Sequence, residues 1–203
     1  MEHSELSFDP HSVGAERDQE LMRRLRVDDT GALDELMTLY WEDLVRYSWS
    51  IVDSVDDAED FAQQAFFQLW RRRRELEHRG AGIRSYLLRI VRNLSLNERR
   101  HRSVIEKVGP RLRETAPCPP TPAEAIEEEE LRAAVQAALD ALPPRRREVY
   151  TLIRFHGLSY REAAEVMGIS PQTVANQLST ALAELRRSLR DYLTADDPAL
   201  ERR

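Results

Sequence analysis

Gly157-Leu-Ser-Tyr-Arg-Glu-Ala-Ala-Glu-Val-Met-Gly-Ile-Ser-Pro-Gln-Thr-Val-Ala-Asn-Gln-Leu178 reads as two short helices separated by a glycine turn, a helix-turn-helix. Ser159 is placed to cap the first helix, whose inner face would be the small residues Ala163 and Ala164 with Met167. Gly168 falls where the chain must reverse, a conformation glycine adopts without steric cost. Ser170 then caps a second helix that carries Pro171 at its first position, where a missing N–H leaves no bond unmade. Val174, Leu178, Leu182 and Leu185 recur at helical spacing and would hold that helix on the first. Gln172, Thr173, Asn176, Gln177 and Thr180 are thereby turned outward, and Ser170 stands at the head of the same helix. Such side chains can reach base edges and phosphates in a major groove. An ordinary helical hairpin has the same periodicity, so the rest of the chain must decide.

The composition points to an all-α protein: Leu and Ala dominate, and the 203 residues include only 7 Gly. No apolar run approaches the roughly 18 residues of a membrane helix, and the acidic N-terminus lacks a signal-peptide pattern. The single cysteine, Cys118, rules out an intrachain disulfide and suits a reducing cytoplasm. No metal-ligand spacing, phosphate-binding glycine loop or nucleophile–base pair is visible, so the sequence predicts neither a metal, nor a cofactor, nor an enzyme.

The net charge of −6 conceals sorting into blocks. Residues 1–70 carry 5 basic and 17 acidic side chains, whereas residues 71–113 carry 14 basic and 4 acidic ones. Phosphate affinity follows the local block and not the total. The acidic front would be repelled by DNA and is expected to face a protein.

Residues 1–17 are polar and are expected to be disordered. From about Asp18, apolar residues recur every three or four positions through Leu21, Leu25, Leu33, Leu36, Tyr40, Leu44, Tyr47 and Ile51, a helix pair interrupted near Asp28–Gly31. Asp56 and Asp57 open a third helix with Ala58, Ala62, Phe66, Leu69 and Trp70 on one face. In a fourth, Ile83, Tyr86, Leu87, Ile90 and Leu94 would face inward. The region 103–127 holds Pro110, Pro117, Pro119, Pro120 and Pro122 without apolar periodicity and reads as a linker. Helical periodicity resumes at about Ala125. The expected organisation is two small helical domains, 18–102 and 128–192, on a Pro-rich tether, with a tail at 193–203.

Three segments, in order, resemble one family. Asp57-Ala-Glu-Asp-Phe-Ala-Gln-Gln-Ala-Phe-Phe-Gln-Leu-Trp70 comes first; Tyr86-Leu-Leu-Arg-Ile-Val-Arg-Asn93 with Asn97-Glu-Arg-Arg-His-Arg102 follows; Leu142-Pro-Pro and the helix-turn-helix close the series. Together they resemble region 2 and region 4 of extracytoplasmic function (ECF) sigma factors, the promoter-recognition subunits of bacterial RNA polymerase. The resemblance implies that Asp57, Glu59, Asp60, Gln63 and Gln64 meet the clamp of the polymerase largest subunit. It implies that Arg84, Arg89, Arg92, Asn93, Asn97, Arg99, Arg100 and Arg102 bind the melted −10 element. Glu77, His78 and Arg79 would occupy the loop that holds an extruded base. Arg161, Ser170, Gln172, Thr173, Asn176, Gln177, Thr180 and Arg186 would serve the −35 element. Contact with the polymerase flap, promoter DNA and an anti-sigma protein are the implied partners, without membrane insertion.

Three departures from the family pattern stand out. Tyr86 replaces a usual tryptophan, Asn97 replaces a common aspartate, and no cation lies between Ser170 and Leu185. Phosphate affinity in the second domain would then fall to Arg145–Arg147, Arg161, Arg186 and Arg187. The competing reading is a helix-turn-helix regulator that binds an operator without polymerase. It would need a sensor or receiver domain with strand–helix alternation, and none is legible before residue 130.

The tether carries the first test. Limited proteolysis of the free protein should cut within 103–127 and release two resistant helical fragments. One indivisible resistant core would refute the two-domain organisation.

Overall fold

The computed structural model describes residues 10–76, 82–106 and 125–190, and side chains over 16–76, 82–103 and 131–190. Among the described residues there are eight helices and no strand. They fall into two compact units, the first holding α1–α4 and the second α5, α6, α8 and most of α7.

In the first unit, α1 (Pro10–Arg26), α3 (Val55–Arg72) and α4 (Ile83–Glu106) pack around α2 (Thr30–Val52). The reason is the apolar surface of α2, which buries Ala32, Leu36, Leu44, Tyr47 and Val52. Each such large side chain contributes about 1.5–3 kcal/mol on burial. α1 begins at Pro10 and not near Asp18, so the polar segment expected to be disordered already contains helix. Its apolar anchors, Leu21, Met22 and Leu25, all lie further along.

The turns are set by backbone chemistry. Asp29 caps α2 by accepting the Gly31 N–H at 2.9 Å, while Asp28 before it adopts a left-handed φ of 66°. Only two residues join α2 to α3. Asp53, at φ 56°, closes the C-terminus of α2 and Ser54 caps α3.

α4 rests on Ile83, Leu87, Leu88, Val91 and Ser95, while Tyr86, Ile90 and Leu94 are half-buried at the margin. The expected inward stripe is therefore rotated by about one residue. The cause is polar: the buried Ser95 hydroxyl meets that of Ser48 on α2 at 2.8 Å. Ser95 donates to the Val91 carbonyl at 2.9 Å, which leaves Ser48 as the donor in the pair. Two serines permit a close helix approach with both hydrogens placed.

The second unit is built on α5 (Ala125–Ala141), α6 (Pro144–Arg154), α7 (Tyr160–Met167) and α8 (Pro171–Ser188). Ala138, Leu139 and Leu142 bury against Ala181 and Leu185, with Val135, Tyr150 and Leu189 at the edge. Pro143-Pro144 ends α5 and would orphan its last carbonyls. Arg147 takes them: its guanidinium donates to the carbonyls of Leu139 at 2.9 Å, Leu142 at 3.3 Å and Asp140.

α7 opens with a capping box in which Ser159 accepts the Glu162 N–H and Glu162 accepts the Ser159 N–H. It closes on Gly168 at φ 66°. Ser170 then accepts the Thr173 N–H at 3.1 Å and starts α8. A side chain added at Gly168 meets no atom within 4 Å, so any cost of adding one is conformational. Gly168→Ala should therefore destabilise the second unit by roughly 1–2 kcal/mol, and Gly168→Asn by less. Urea denaturation of the full chain, read by amide exchange in α7 and α8, checks this.

Candidate nucleic-acid and polymerase interfaces

The outer face of α3 is polar and carries one aromatic residue. Glu59, Asp60, Gln63 and Gln64 are exposed there. Phe67, which follows Asp60 by seven positions and Gln63 by four, is 60% exposed on the same stripe. Arg71 lies over its ring at 5.8 Å from the centroid. Of the Phe66–Phe67 pair only Phe66 is buried, stacked on Trp41 at 6.3 Å. The doubled phenylalanine was the available signal for this residue. One helix face cannot take both rings inward.

Asp57 behaves differently. It is half-buried and bonded to Arg102, whose guanidinium also donates to Glu98 at 2.8 Å and to the Val52 carbonyl at 3.4 Å. The Ser54 hydroxyl and, after it, Arg102 hold the Asp57 carboxyl below the usual carboxylate range. Two residues expected to serve different partners, polymerase and DNA, thus serve each other and tie α4 to the start of α3.

Other arginines of the basic block are similarly engaged. Arg84 binds Asp43 at 2.8 Å. Arg73 and Arg74 both close on Asp28, Arg73 through its Nε at 2.6 Å, and Arg73 also covers the Trp70 ring at 4.0 Å. What α4 presents to solvent is narrower than the charge count suggests. Arg89, Asn93, Asn97 and Arg100 are exposed along one stripe, with Arg99 exposed and Arg92 half-buried beside it. Glu77, His78 and Arg79 lie outside the described residues.

On α8, Gln172, Asn176 and Thr180 are exposed, and Thr173 and Gln177 are half-buried. The Gln172 side-chain amide donates to the Asn176 side-chain oxygen at 3.0 Å, which fixes the orientation of both. Thr180 donates to the Asn176 backbone carbonyl at 2.9 Å, and Ser170 shares its hydroxyl with Thr173 at 2.8 Å. Ser170, Thr173 and Thr180 are thus occupied with their own helix, and the coupled amides of Gln172 and Asn176 are what its outer side exposes. Arg161 and Arg186 are exposed. Arg147 caps α5, and Arg146 pairs with Glu184 at 2.5 Å, so of the expected Arg145–Arg147 trio only Arg145 stands exposed. Among the described residues there is no metal-binding cluster, and no helix is long and apolar enough to cross a membrane.

A helical unit with a basic–amide outer helix, followed by a unit ending in a capped helix-turn-helix, defines a class of transcription protein. Residues 36–104 match the family model for Sigma-70 region 2, and residues 132–185 match that for Sigma-70 region 4, together more than half of the chain. The chain belongs to the sigma-70 family. It is 31% identical over 162 residues to the ECF RNA polymerase sigma factor SigE of Mycolicibacterium smegmatis, covering 79% of this chain and 61% of that protein. It thus spans less than two thirds of that relative. It is 27% identical over 190 residues to the RNA polymerase sigma-H factor of Pseudomonas aeruginosa, covering 88% of this chain and 96% of that one. Among solved structures it resembles the sigma factor RpoE of Bartonella quintana, crystallised with the anti-sigma factor NepR, with a TM-score of 0.59 and 25% identity over 77% of this chain and 96% of that one.

Proposed function

We propose that this protein works as an ECF sigma factor in the cytoplasm: it binds core RNA polymerase, directs it to promoters with defined −35 and −10 elements, and helps to open them. The observation that carries the reading is the order on one chain of a region 2 unit with a polar–aromatic outer face and a region 4 unit with an amide-bearing recognition helix. It acts by binding and not by covalent chemistry. Flipped bases are exchanged for protein contacts, so binding energy drives the opening.

The α3 face supplies the polymerase contact. Glu59, Asp60, Gln63 and Gln64 form its polar rim and Phe67 its anchor, the arrangement in which an aromatic residue dominates an interface. Asp57 contributes indirectly, by fixing α3 to α4. The α4 stripe from Arg89 to Arg100 runs roughly 17 Å along the helix. That matches about five nucleotides of a stacked strand. Arg84 and Arg102 shape this face, and Arg89, Arg99 and Arg100 supply its phosphate attraction. Glu77, His78 and Arg79 read an extruded −10 base. On α8, Asn176 oriented by Gln172 reads a −35 base edge, and Arg161 and Arg186 hold the flanking phosphates. The neighbour RpoE was crystallised with an anti-sigma factor. By analogy an anti-sigma protein is the regulator expected here, and the α3 face is where it would compete with polymerase.

Transcription from a randomised promoter library, with purified core polymerase and this protein alone, tests the proposal. Start-site-specific transcripts are expected. Operator binding without transcripts would refute it. Within that assay, Phe67→Ala and Asp60→Arg with Gln63→Arg should each weaken holoenzyme assembly at least tenfold, on the order of 1.4 kcal/mol or more, with the fold intact. Unchanged assembly would remove this face from the interface.

Base reading and phosphate attraction separate in a second comparison. Asn176→Ala should alter preference at one or two −35 positions by about 1–3 kcal/mol with little change in salt dependence. Arg99→Ala with Arg100→Ala should weaken all promoters alike and flatten the salt slope by about 0.7–0.9 for each phosphate no longer neutralised.

A further inference from the structure

α4 carries its outward polar stripe further than it carries its core. Ile83, Leu87, Leu88, Val91 and Ser95 are buried, and beyond Ser95 no described residue of the helix is. Asn97, Arg99 and Arg100, the distal half of the stripe, lie past that point and are exposed. Among the described residues beyond Ser95, Arg102 alone makes a polar bond to another helix. Its Nη1 donates at 3.4 Å to the carbonyl of Val52, the last residue of α2, and its Nη2 closes on the Asp57 carboxylate in the first turn of α3. Its Nε donates at 2.8 Å to Glu98, one turn back on α4. Ser54, at the corner between α2 and α3, accepts the Asp57 N–H at 3.4 Å. One guanidinium therefore joins three helices at that corner.

Past its last buried residue, a helix end gains no apolar burial to offset the entropy of holding it. Its position then falls to whatever bonds reach it. Arg102 suits that task, because a guanidinium presents its donors in a rigid planar fork, whereas an ammonium is a point charge on a flexible stem. Its charge, moreover, is already answered by two carboxylates, Asp57 and Glu98. What it retains is geometry.

We infer that Arg102 is a positioning residue for the −10 element and not one of its DNA ligands: its knot with Asp57 and Val52 holds the distal half of the α4 stripe, so that Arg99 and Arg100 meet the strand in register with Arg89. This rests on the sigma-factor reading above, and it takes from the DNA contacts a residue that the sequence placed among them. A phosphate ligand and a tether give opposite outcomes when the Asp57 charge is removed. A ligand is set free by that change, so DNA binding tightens and its salt dependence steepens. A tether is cut by it, so binding weakens and the salt dependence flattens, although no cation has been lost.

The test is promoter affinity of holoenzyme assembled with full-length variants, followed by salt titration. Asp57→Asn should weaken affinity about tenfold and flatten the salt slope by about 0.7–0.9 for each phosphate that Arg99 and Arg100 no longer reach. Asp57→Glu, which keeps a carboxylate at the corner, should restore most of both. A mutant cycle locates the effect on the helix. In an Arg102→Gln background, Arg99→Ala with Arg100→Ala should cost far less than in the wild-type chain. Arg89→Ala, which lies between the buried Leu88 and Val91, should cost the same in both backgrounds. Tighter binding with a steeper slope in Asp57→Asn overturns the inference, as does full additivity of Arg102→Gln with the Arg99 and Arg100 changes. So does an Arg89→Ala effect that shrinks alongside them, which would mark a helix disturbed as a whole. If wild-type holoenzyme shows no promoter preference at all, it is the sigma-factor reading that fails.

Discussion

A guanidinium group that closes on a carboxylate is no longer a full charge offered to a phosphate, and this constraint governs how the basic block works. By sequence it is a block of 14 cations. In the folded chain Arg73 and Arg74 close on Asp28, Arg84 on Asp43 and Arg102 on Asp57. The Arg84 and Arg102 pairs join helices and the Arg73 and Arg74 pairs join two turns, so the first unit is laced together by the same residue type that it exposes on α4. The division is spatial. Inward and edgewise arginines orient α1, α3 and α4, and the outward ones on α4 give the cationic stripe.

The second unit follows the same rule with a different balance. Arg146 and Arg147 are committed to Glu184 and to the carbonyl end of α5. The second helix of the helix-turn-helix, α8, has no cation over its first four turns. The amides it exposes are a coupled glutamine and asparagine. Under the proposed function, the cations this unit offers to phosphate come from outside that stretch, at Arg145, Arg161, Arg186 and Arg187, and tethering to polymerase would raise its effective concentration at the promoter.

The local features of the fold were legible because their causes are local. Ser159, Gly168 and Ser170 announce two caps and a turn through residue chemistry a few positions apart, and each occupies that role. The breaks at Asp28–Gly31 and Pro143-Pro144 are of the same kind. The misses have long-range causes. The rotation of α4 depends on a hydroxyl pair between Ser48 and Ser95, 47 positions apart. The partners of Arg73, Arg84 and Arg102 lie 41–45 positions back. Nor does periodicity say which of Phe66 and Phe67 faces the core; packing against Trp41 decides it. The candidate site was accordingly readable as a set of faces, while the assignment of single arginines to partner or scaffold was not.

The two-residue corner between α2 and α3 has a mechanical corollary. Asp53 and Ser54 are both fixed, one by its left-handed closure of α2 and the other by its cap on α3. With no slack in between, the two helices turn as a single bent lever. Force applied to α3 by a docking partner is then transmitted as torque to the α2 axis, around which the whole first unit is arranged. Such a corner offers little chain for absorbing strain: melting it would give up the left-handed closure of α2 and the Ser54 cap of α3 together.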